Sequence, residues 1–350
     1  MKLGIIGKPQ SGKTTIFNAA AEQDAAVGDY SQASHRAVIK VPDERVDRLA
    51  EIFEPQRKVY AEIEFLDAPG FTGQTKASSP LEITNELKEV DALIMTIDAF
   101  SDDADPKGDI EALSAEILLS DQVIIENNVE NKARKQKLTG DRSLQTELDL
   151  LKKCLDSLEQ EQPLLKLELT KEERKLLRGY QFMSLKPVLV LLNIAEKDLS
   201  RADEIEEEFR FLEESGRREV ATLCGKVQME LVGLDREEQE EFLSELGVKE
   251  LALDKVIRKS YALLGLISFF TTGKDEVRAW TIRNGTPAVK AAGVIHSDIE
   301  RGFIRAEVTA VDDVLELRTP AALKAAGKVR LEGKEYTVRD GDEILFRFNV

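Results

Sequence analysis

The sequence predicts an α/β protein: a doubly wound, mostly parallel sheet, interrupted by a helical hairpin and followed by a small α+β domain. Three observations predict it. A Gly-containing loop near the N-terminus lies between a short apolar run and a helical pattern. Further apolar runs alternate with helix-period stretches, the pattern of parallel strands joined by crossover helices. Beyond residue 266 the pattern changes to short β-type segments separated by Gly-containing turns.

Each element follows in chain order. Residues 2–6 are a short apolar run, and residues 14–22 after the loop are helical. Residues 59–66 alternate apolar and polar, as a strand does, and end at Asp67-Ala68-Pro69-Gly70. Residues 92–97 and 188–192 are further strands, the second ending at Asn193. Between them lies a long helical interval, 110–182. There Leu144, Leu148, Leu151, Leu155 and Leu158 recur at spacings of 4-3-4-3, a heptad seam. Polar, basic residues 131–143, with Gly140, read as a hairpin tip. The seam is too short for a stable intermolecular coiled coil, so two helices packed within the chain are expected. An acidic helix at 204–214, a strand at 219–223 and helices at 236–246 and 253–266 follow. The last part carries strands at 267–270, 277–282, 303–308, 328–331, 335–338 and 344–348, with turns at Gly273, Gly285, Gly333 and Gly341. The predicted domains are 1–115 with 184–265, an inserted helical 116–183, and 266–350.

Composition narrows the class. The 350 residues include 49 Lys+Arg and 66 Asp+Glu, a net charge of −17. No run of about 18 apolar residues is present, so neither a transmembrane helix nor a membrane partner is expected. The N-terminus turns polar after six residues, unlike a signal peptide. Two cysteines, Cys154 and Cys224, exclude a disulfide scaffold. His35 and His296 stand too far apart to suggest zinc. A cytoplasmic location is expected. The acidity argues against broad nucleic-acid binding, and no DNA partner is expected. Residues 266–350 hold 13 basic and 13 acidic residues, so the whole excess lies in 1–265. Any RNA contact then needs local patches, such as Lys328, Arg330 and Lys334 or the arm tip at 132–137.

Gly7-Lys8-Pro9-Gln10-Ser11-Gly12-Lys13-Thr14 matches G-x-x-x-x-G-K-[ST], with a strand before and a helix after. That is a P-loop, whose backbone N–H groups and helix N-terminus cradle phosphates. Lys13 is expected to reach the β- and γ-phosphates, Thr14 to ligate Mg²⁺ and Thr15 to bond the α-phosphate. Asp67-Ala68-Pro69-Gly70 fits the D-x-x-G element of P-loop switch proteins. Asp67 is expected to hold Mg²⁺ through water, and the Gly70 N–H to sense the γ-phosphate. Asn193-Ile194-Ala195-Glu196 occupies the base-reading position. A guanine reader there is N-K-x-D, whose Asp accepts from guanine. Ile194 and Glu196 replace its Lys and Asp, which weakens guanine recognition while Asn193 still serves adenine. Cys224 and Gly225 lie where such proteins touch the base through backbone N–H groups. Phe71 stands in the region where a switch Gln orients the attacking water, and Gln74 is the nearest substitute.

These residues resemble the YchF/Obg-like ATPases, a branch of the Obg group. The resemblance covers essentially the whole chain. It includes the P-loop, the segment from Val41-Pro42-Asp43-Glu44-Arg45 to Glu54-Pro55-Gln56-Arg57, and Asn193-x-x-Glu196, the family's adenine-permitting variant. Its most specific part is the tail. That runs from Phe270-Thr271-Thr272-Gly273-Lys274-Asp275-Glu276-Val277-Arg278-Ala279-Trp280, through Ala292-Gly293-Val294-Ile295-His296 and Gly302-Phe303-Ile304-Arg305-Ala306, to Phe346-Arg347-Phe348-Asn349-Val350. It resembles the family's TGS domain, which has a β-grasp fold. The helical interval matches the family's inserted coiled-coil domain.

The resemblance implies a slow ATPase acting as a molecular switch with the ribosome or ribosomal RNA. The chain also departs from the family. Gln10 replaces an Asn linked to potassium-assisted catalysis, so K⁺ dependence is open. Ser31 takes the place of the switch I Thr and keeps a hydroxyl for Mg²⁺. No His occurs in the loop near 100–109, where the family often places one. Two other readings follow: a nucleotide-gated ribosome or RNA adaptor without meaningful hydrolysis, and an Obg-type GTPase using Glu196 as Asp. Elsewhere, His35 reads as a solvated loop residue, with approach to the γ-phosphate as the alternative. His296, Trp280, Cys154 and Cys224 read as structural.

Overall fold

The computed structural model describes residues 1–21, 35–67, 85–140, 143–215, 217–248 and 251–349. The first elements are β1 (Lys2–Ile6), α1 (Lys13–Ala21), β2 (His35–Lys40), α2 (Glu44–Phe53), β3 (Arg57–Val59), β4 (Glu62–Asp67), α3 (Asn85–Lys88) and β5 (Ala92–Ala99). Two long helices follow, α4 (Pro106–Thr139) and α5 (Ser143–Glu159), then α6 (Lys171–Leu177). Next come β6 (Val188–Ile194), α7 (Ala202–Phe209), β7 (Arg218–Leu223), α8 (Gly225–Leu231), α9 (Arg236–Glu245) and α10 (Ala252–Leu263). The last are β8 (Leu266–Thr272), β9 (Glu276–Arg283), α11 (Ala288–Ile295), α12 (Ser297–Arg301), β10 (Phe303–Ala310), α13 (Val311–Leu317), α14 (Pro320–Ala325), β11 (Arg330–Glu332) and β12 (Asp342–Phe348).

Six described strands form one sheet in the order β2-β4-β1-β5-β6-β7. β1 runs parallel to both β4 and β5, and β6 is parallel to β5 and β7. All seven residues of β6 are buried, and its apolar run Val188–Leu192 suits a central parallel strand. Met95, Ile97, Val190 and Leu192 pack with Ile110, Leu113 and Ile117 of α4 and with Phe209, Val227 and Leu231. The strand order turns at β1, so the crevice at its C-terminal end is where a doubly wound sheet holds its ligand.

α4 and α5 form the hairpin. Asp105 caps α4 by accepting from Gly108 N–H, and Pro106 occupies the first turn. Gly140, with φ 68°, ends it and donates to the Gln136 carbonyl. The Leu seam packs inside the chain: Leu151 and Leu158 join Ile125, Leu150, Cys154, Leu164, Leu177 and Phe182 in one core. The basic stretch expected as the tip is mostly helix, because α4 extends to Thr139 and α5 starts at Ser143.

A second sheet runs β11-β10-β12-β8-β9-β3. Residues 335–338, which read as a strand, hold one isolated bridge, Pro287 to Thr337. Tyr336 N–H turns back to Gly333 and Val338 N–H goes to Thr286, so no ladder forms.

The chain divides into two compact units, Met1–Ala37 with Glu64–Lys259, and Val38–Ile63 with Ser260–Val350. The sequence boundaries differ, since they assign 38–63 to the nucleotide-binding part. The physical reason is packing. β3 pairs in parallel with β9, and Arg45 of α2 bonds Asp340 at 2.7 Å and lies 4.9 Å from the Phe270 ring centre.

Candidate functional site

β1 delivers the chain into loop 7–12, and α1 begins at Lys13. Gly12 has φ +93°, and a Cβ there would collide with the Asn193 side-chain amide. Gln10 takes a left-handed backbone, φ 67°, without being glycine. That is local strain held in the loop.

Lys13 is buried, and its ammonium donates to the carbonyls of Gly7 at 3.0 Å and Lys8 at 2.8 Å. Burial lowers its pKa to about 8, against the opposing charge of Asp67. The next residue, Thr14, donates its hydroxyl proton to Asp67 Oδ2 at 2.9 Å. Asp67 is buried at the end of β4, and burial raises its pKa. Its Oδ1 is buried with no hydrogen-bond partner among the described residues. Ser11 Oγ is in the same condition. A hydroxyl beside a buried carboxylate with an unused oxygen is a hard-oxygen donor set, which suits Mg²⁺.

Asn193 near the end of β6 works in both directions. Its Nδ2 donates to the Ser11 carbonyl at 3.0 Å, and its Oδ1 accepts from Gly225 N–H at 2.9 Å. The buried amide braces the P-loop against the first turn of α8. One of its two Nδ2 hydrogens is left over from these bonds. Thr15 lies beside Gly225, where an added Cβ would stand 3.4 Å from the Thr15 methyl. Cys224 is buried, and burial pushes its thiol pKa up.

The predicted residues therefore divide. The P-loop from Lys8 to Thr15, with Asp67, Asn193, Cys224 and Gly225, gathers at the C-terminal ends of β1, β4, β6 and β7. Ile194 instead enters the apolar cluster around β6. Glu196 is turned toward Lys226, whose ammonium lies 2.8 Å from Glu196 Oε2. Ser31, Gly70, Phe71 and Gln74 lie outside the described residues.

Two side chains were missed. Lys226 follows Cys224-Gly225 directly, and a cation near an expected base-site carboxylate was the available signal. Asp109 carries the side chain of Lys8, and nothing in the sequence relates positions so far apart. His35 opens β2 with its ring 6.3 Å from that of Phe17. His296 caps α12 by accepting from Asp298 N–H at 3.2 Å, and Trp280 donates to Thr271 at 2.9 Å. Burial raises Cys154 to about 11.

Several candidate RNA contacts already have partners within the chain. Lys328 pairs with Asp313 at 3.0 Å, and Lys132 with Glu147 at 2.9 Å. Arg330 is held by Glu332, Tyr336 and Asp342. Internal carboxylates occupy these cations, whereas Lys334 is exposed.

A family model described as 50S ribosome-binding GTPase matches residues 2–132, and the YchF GTPase C-terminal model, described as a protein of unknown function, matches residues 266–349. A Bacillus subtilis (strain 168) protein named ribosome-binding ATPase YchF is 38% identical over 364 residues, covering 99% of each chain. Its namesake in Escherichia coli O157:H7 is 35% identical over 362 residues, covering 100% of this chain and 99% of that one. Among solved structures, the Schizosaccharomyces pombe YchF GTPase matches with TM-score 0.83 and 30% identity, over 99% of this chain and 97% of that chain. With matches that run end to end, across the P-loop, the hairpin and the C-terminal sheet alike, this chain belongs to the YchF family.

Proposed function

We propose that this chain is a Mg²⁺-dependent ATP-binding switch that hydrolyses ATP slowly and works with the ribosome in the cytoplasm. The observation that carries it is the arrangement beneath the P-loop: a buried Lys13 beside a Thr14–Asp67 pair with one carboxylate oxygen unused. Lys13 leaves the Gly7 and Lys8 carbonyls for phosphate oxygens, which are better partners for a buried cation. The N–H groups from Lys8 to Thr15 complete the phosphate cradle. Thr14, Ser31 and, through water, Asp67 would hold the metal, which would neutralise charge on the triphosphate. Gly70 N–H senses the γ-phosphate.

Asn193 keeps one Nδ2 hydrogen for the base edge in this reading, with Cys224 and Gly225 as its neighbours. Glu196 is engaged by Lys226 and is displaced from the place of a guanine-reading Asp, which favours ATP. Ribosome binding rests on the names of the relatives. The Schizosaccharomyces pombe neighbour is titled a GTPase, so GTP is the second nucleotide to test. Phe71 and a 100–109 loop without His favour a further reading, an adaptor that binds ATP without turnover.

Isothermal titration with ATP and GTP, each with Mg²⁺, tests the base reading. Tighter ATP binding is expected, and equal or tighter GTP binding overturns it. Single-turnover hydrolysis with and without ribosomes tests the switch. Hydrolysis that ribosomes stimulate and Lys13→Ala abolishes supports the ATPase, and ATP binding without hydrolysis in either condition supports the adaptor.

A further inference from the structure

Lys8 sends its side chain out of the P-loop to α4. Its ammonium is hydrogen-bonded to Asp109 Oδ1 in the first turn of α4. The Asp109 side chain is only 17% exposed. Glu116 lies seven residues further on, about two helical turns along the same face of α4. Glu116 Oε2 is buried with no hydrogen-bond partner among the described residues, and Lys8 is the cation that opposes the effect of that burial. Lys8 thus bonds one carboxylate of this helix face and acts on a second only through its charge. The carbonyl of the same Lys8 accepts from Lys13. α4 then runs unbroken over 34 residues to the hairpin tip, a span of about 50 Å at the usual helical rise.

We propose that Lys8 is a positioning residue that couples nucleotide occupancy of the P-loop to the helical arm through Asp109. The inference rests on the nucleotide reading above. Its physical basis is competition between anions for one ammonium group. A triphosphate brings several negative charges to loop 7–14, and Lys13 releases the Lys8 carbonyl to meet them. The Lys8 ammonium then has both phosphate and Asp109 to serve, so its hold on α4 weakens. Linkage makes the effect reciprocal: a pair that nucleotide weakens is one that opposes nucleotide binding. A partner that grips the arm therefore changes ATP affinity through the same contact.

The test uses the full chain with and without ATP and Mg²⁺. Hydrogen exchange reads residues 106–139, and isothermal titration reads ATP affinity. In the parent, exchange in residues 106–117 rises about threefold on ATP binding. In Asp109→Asn that exchange is already raised without ATP and changes no further, and ATP binds about threefold tighter, as for loss of a partly exposed ion pair. Glu116→Gln, which removes a nearby charge but no bond to Lys8, keeps the parent's exchange response. A parent helix that ignores ATP, or an Asp109→Asn helix that still responds, overturns the coupling. If Asp109→Asn does not fold, Lys8→Met removes the other half of the pair, and a retained response there also overturns it. A parent that binds no ATP overturns the nucleotide reading and the coupling with it, whereas ATP binding with a silent α4 overturns only the coupling.

Discussion

At the scale of single residues, Asn193 shows what one buried amide does. It accepts from Gly225 and donates to Ser11, so it joins two loops that the chain separates widely. Asn193→Ala leaves a buried N–H and a buried carbonyl unpaired. The expected cost is about 1–3 kcal/mol of stability, with weaker ATP binding because both loops lose their brace. Urea melts and ATP titration of the variant check both effects. A variant with unchanged stability and affinity would show that water replaces both bonds. The place of Asn193 at the end of an apolar strand was legible. Its protein partners were not legible, since they depend on the closure of loops around residues 11 and 225. The Lys226–Glu196 pair was hidden for the same reason, as was the burial of Ile194.

At the scale of elements, the hairpin was the most legible part and its base the least. The Leu seam announces two packed helices, and Gly140 announces where the first one stops. Asp121 announces nothing. It is fully buried on α4 and accepts from Met183 N–H at 2.9 Å and Ser184 N–H at 2.7 Å, fastening the segment before β6 to the helix. Burial raises its pKa, and these N–H bonds oppose the rise. Asp121→Ala orphans two buried N–H groups, with an expected loss of about 2–4 kcal/mol. Limited proteolysis of residues 178–187 checks it, with faster cleavage expected than in the parent.

β12 carries a second element-scale effect. Burial raises Glu343 to about 7 although the Thr272 hydroxyl donates to it at 2.9 Å. Between its ordinary value of 4.5 and about 7, the folded strand keeps a proton that the unfolded chain has released. This group's contribution to stability is therefore full at low pH and falls as pH rises through that window. Glu343→Gln keeps an acceptor for Thr272 and removes the ionisation. It is expected to be about 1–2 kcal/mol more stable than the parent at pH 8, with the gap closing toward pH 5. Urea melts followed by fluorescence of Trp280, the chain's one tryptophan, report on that sheet.

At the scale of the whole molecule, the division into units decides where charge and cooperativity lie. The second unit, Val38–Ile63 with Ser260–Val350, holds 18 basic and 19 acidic residues, so nearly all of the −17 stays in the first. The sequence reading of an acidic part and a neutral part survives this regrouping. Its boundary does not, because α2 and β3, contiguous in sequence with the strands of the first sheet, pack with the C-terminal sheet. Val46 and Leu49 of α2 are fully buried, and the Arg45 guanidinium is held by both Asp43 and Asp340. Cooperative unfolding follows packing rather than chain order. Native-state hydrogen exchange in low urea should therefore show residues 44–53 opening together with residues 266–348. ATP binding should raise the protection of α1 and β6 by mass action on the unit that holds the P-loop. Exchange of α2 in step with α1, rather than with β8 and β12, would place residues 38–63 in the nucleotide-binding unit after all.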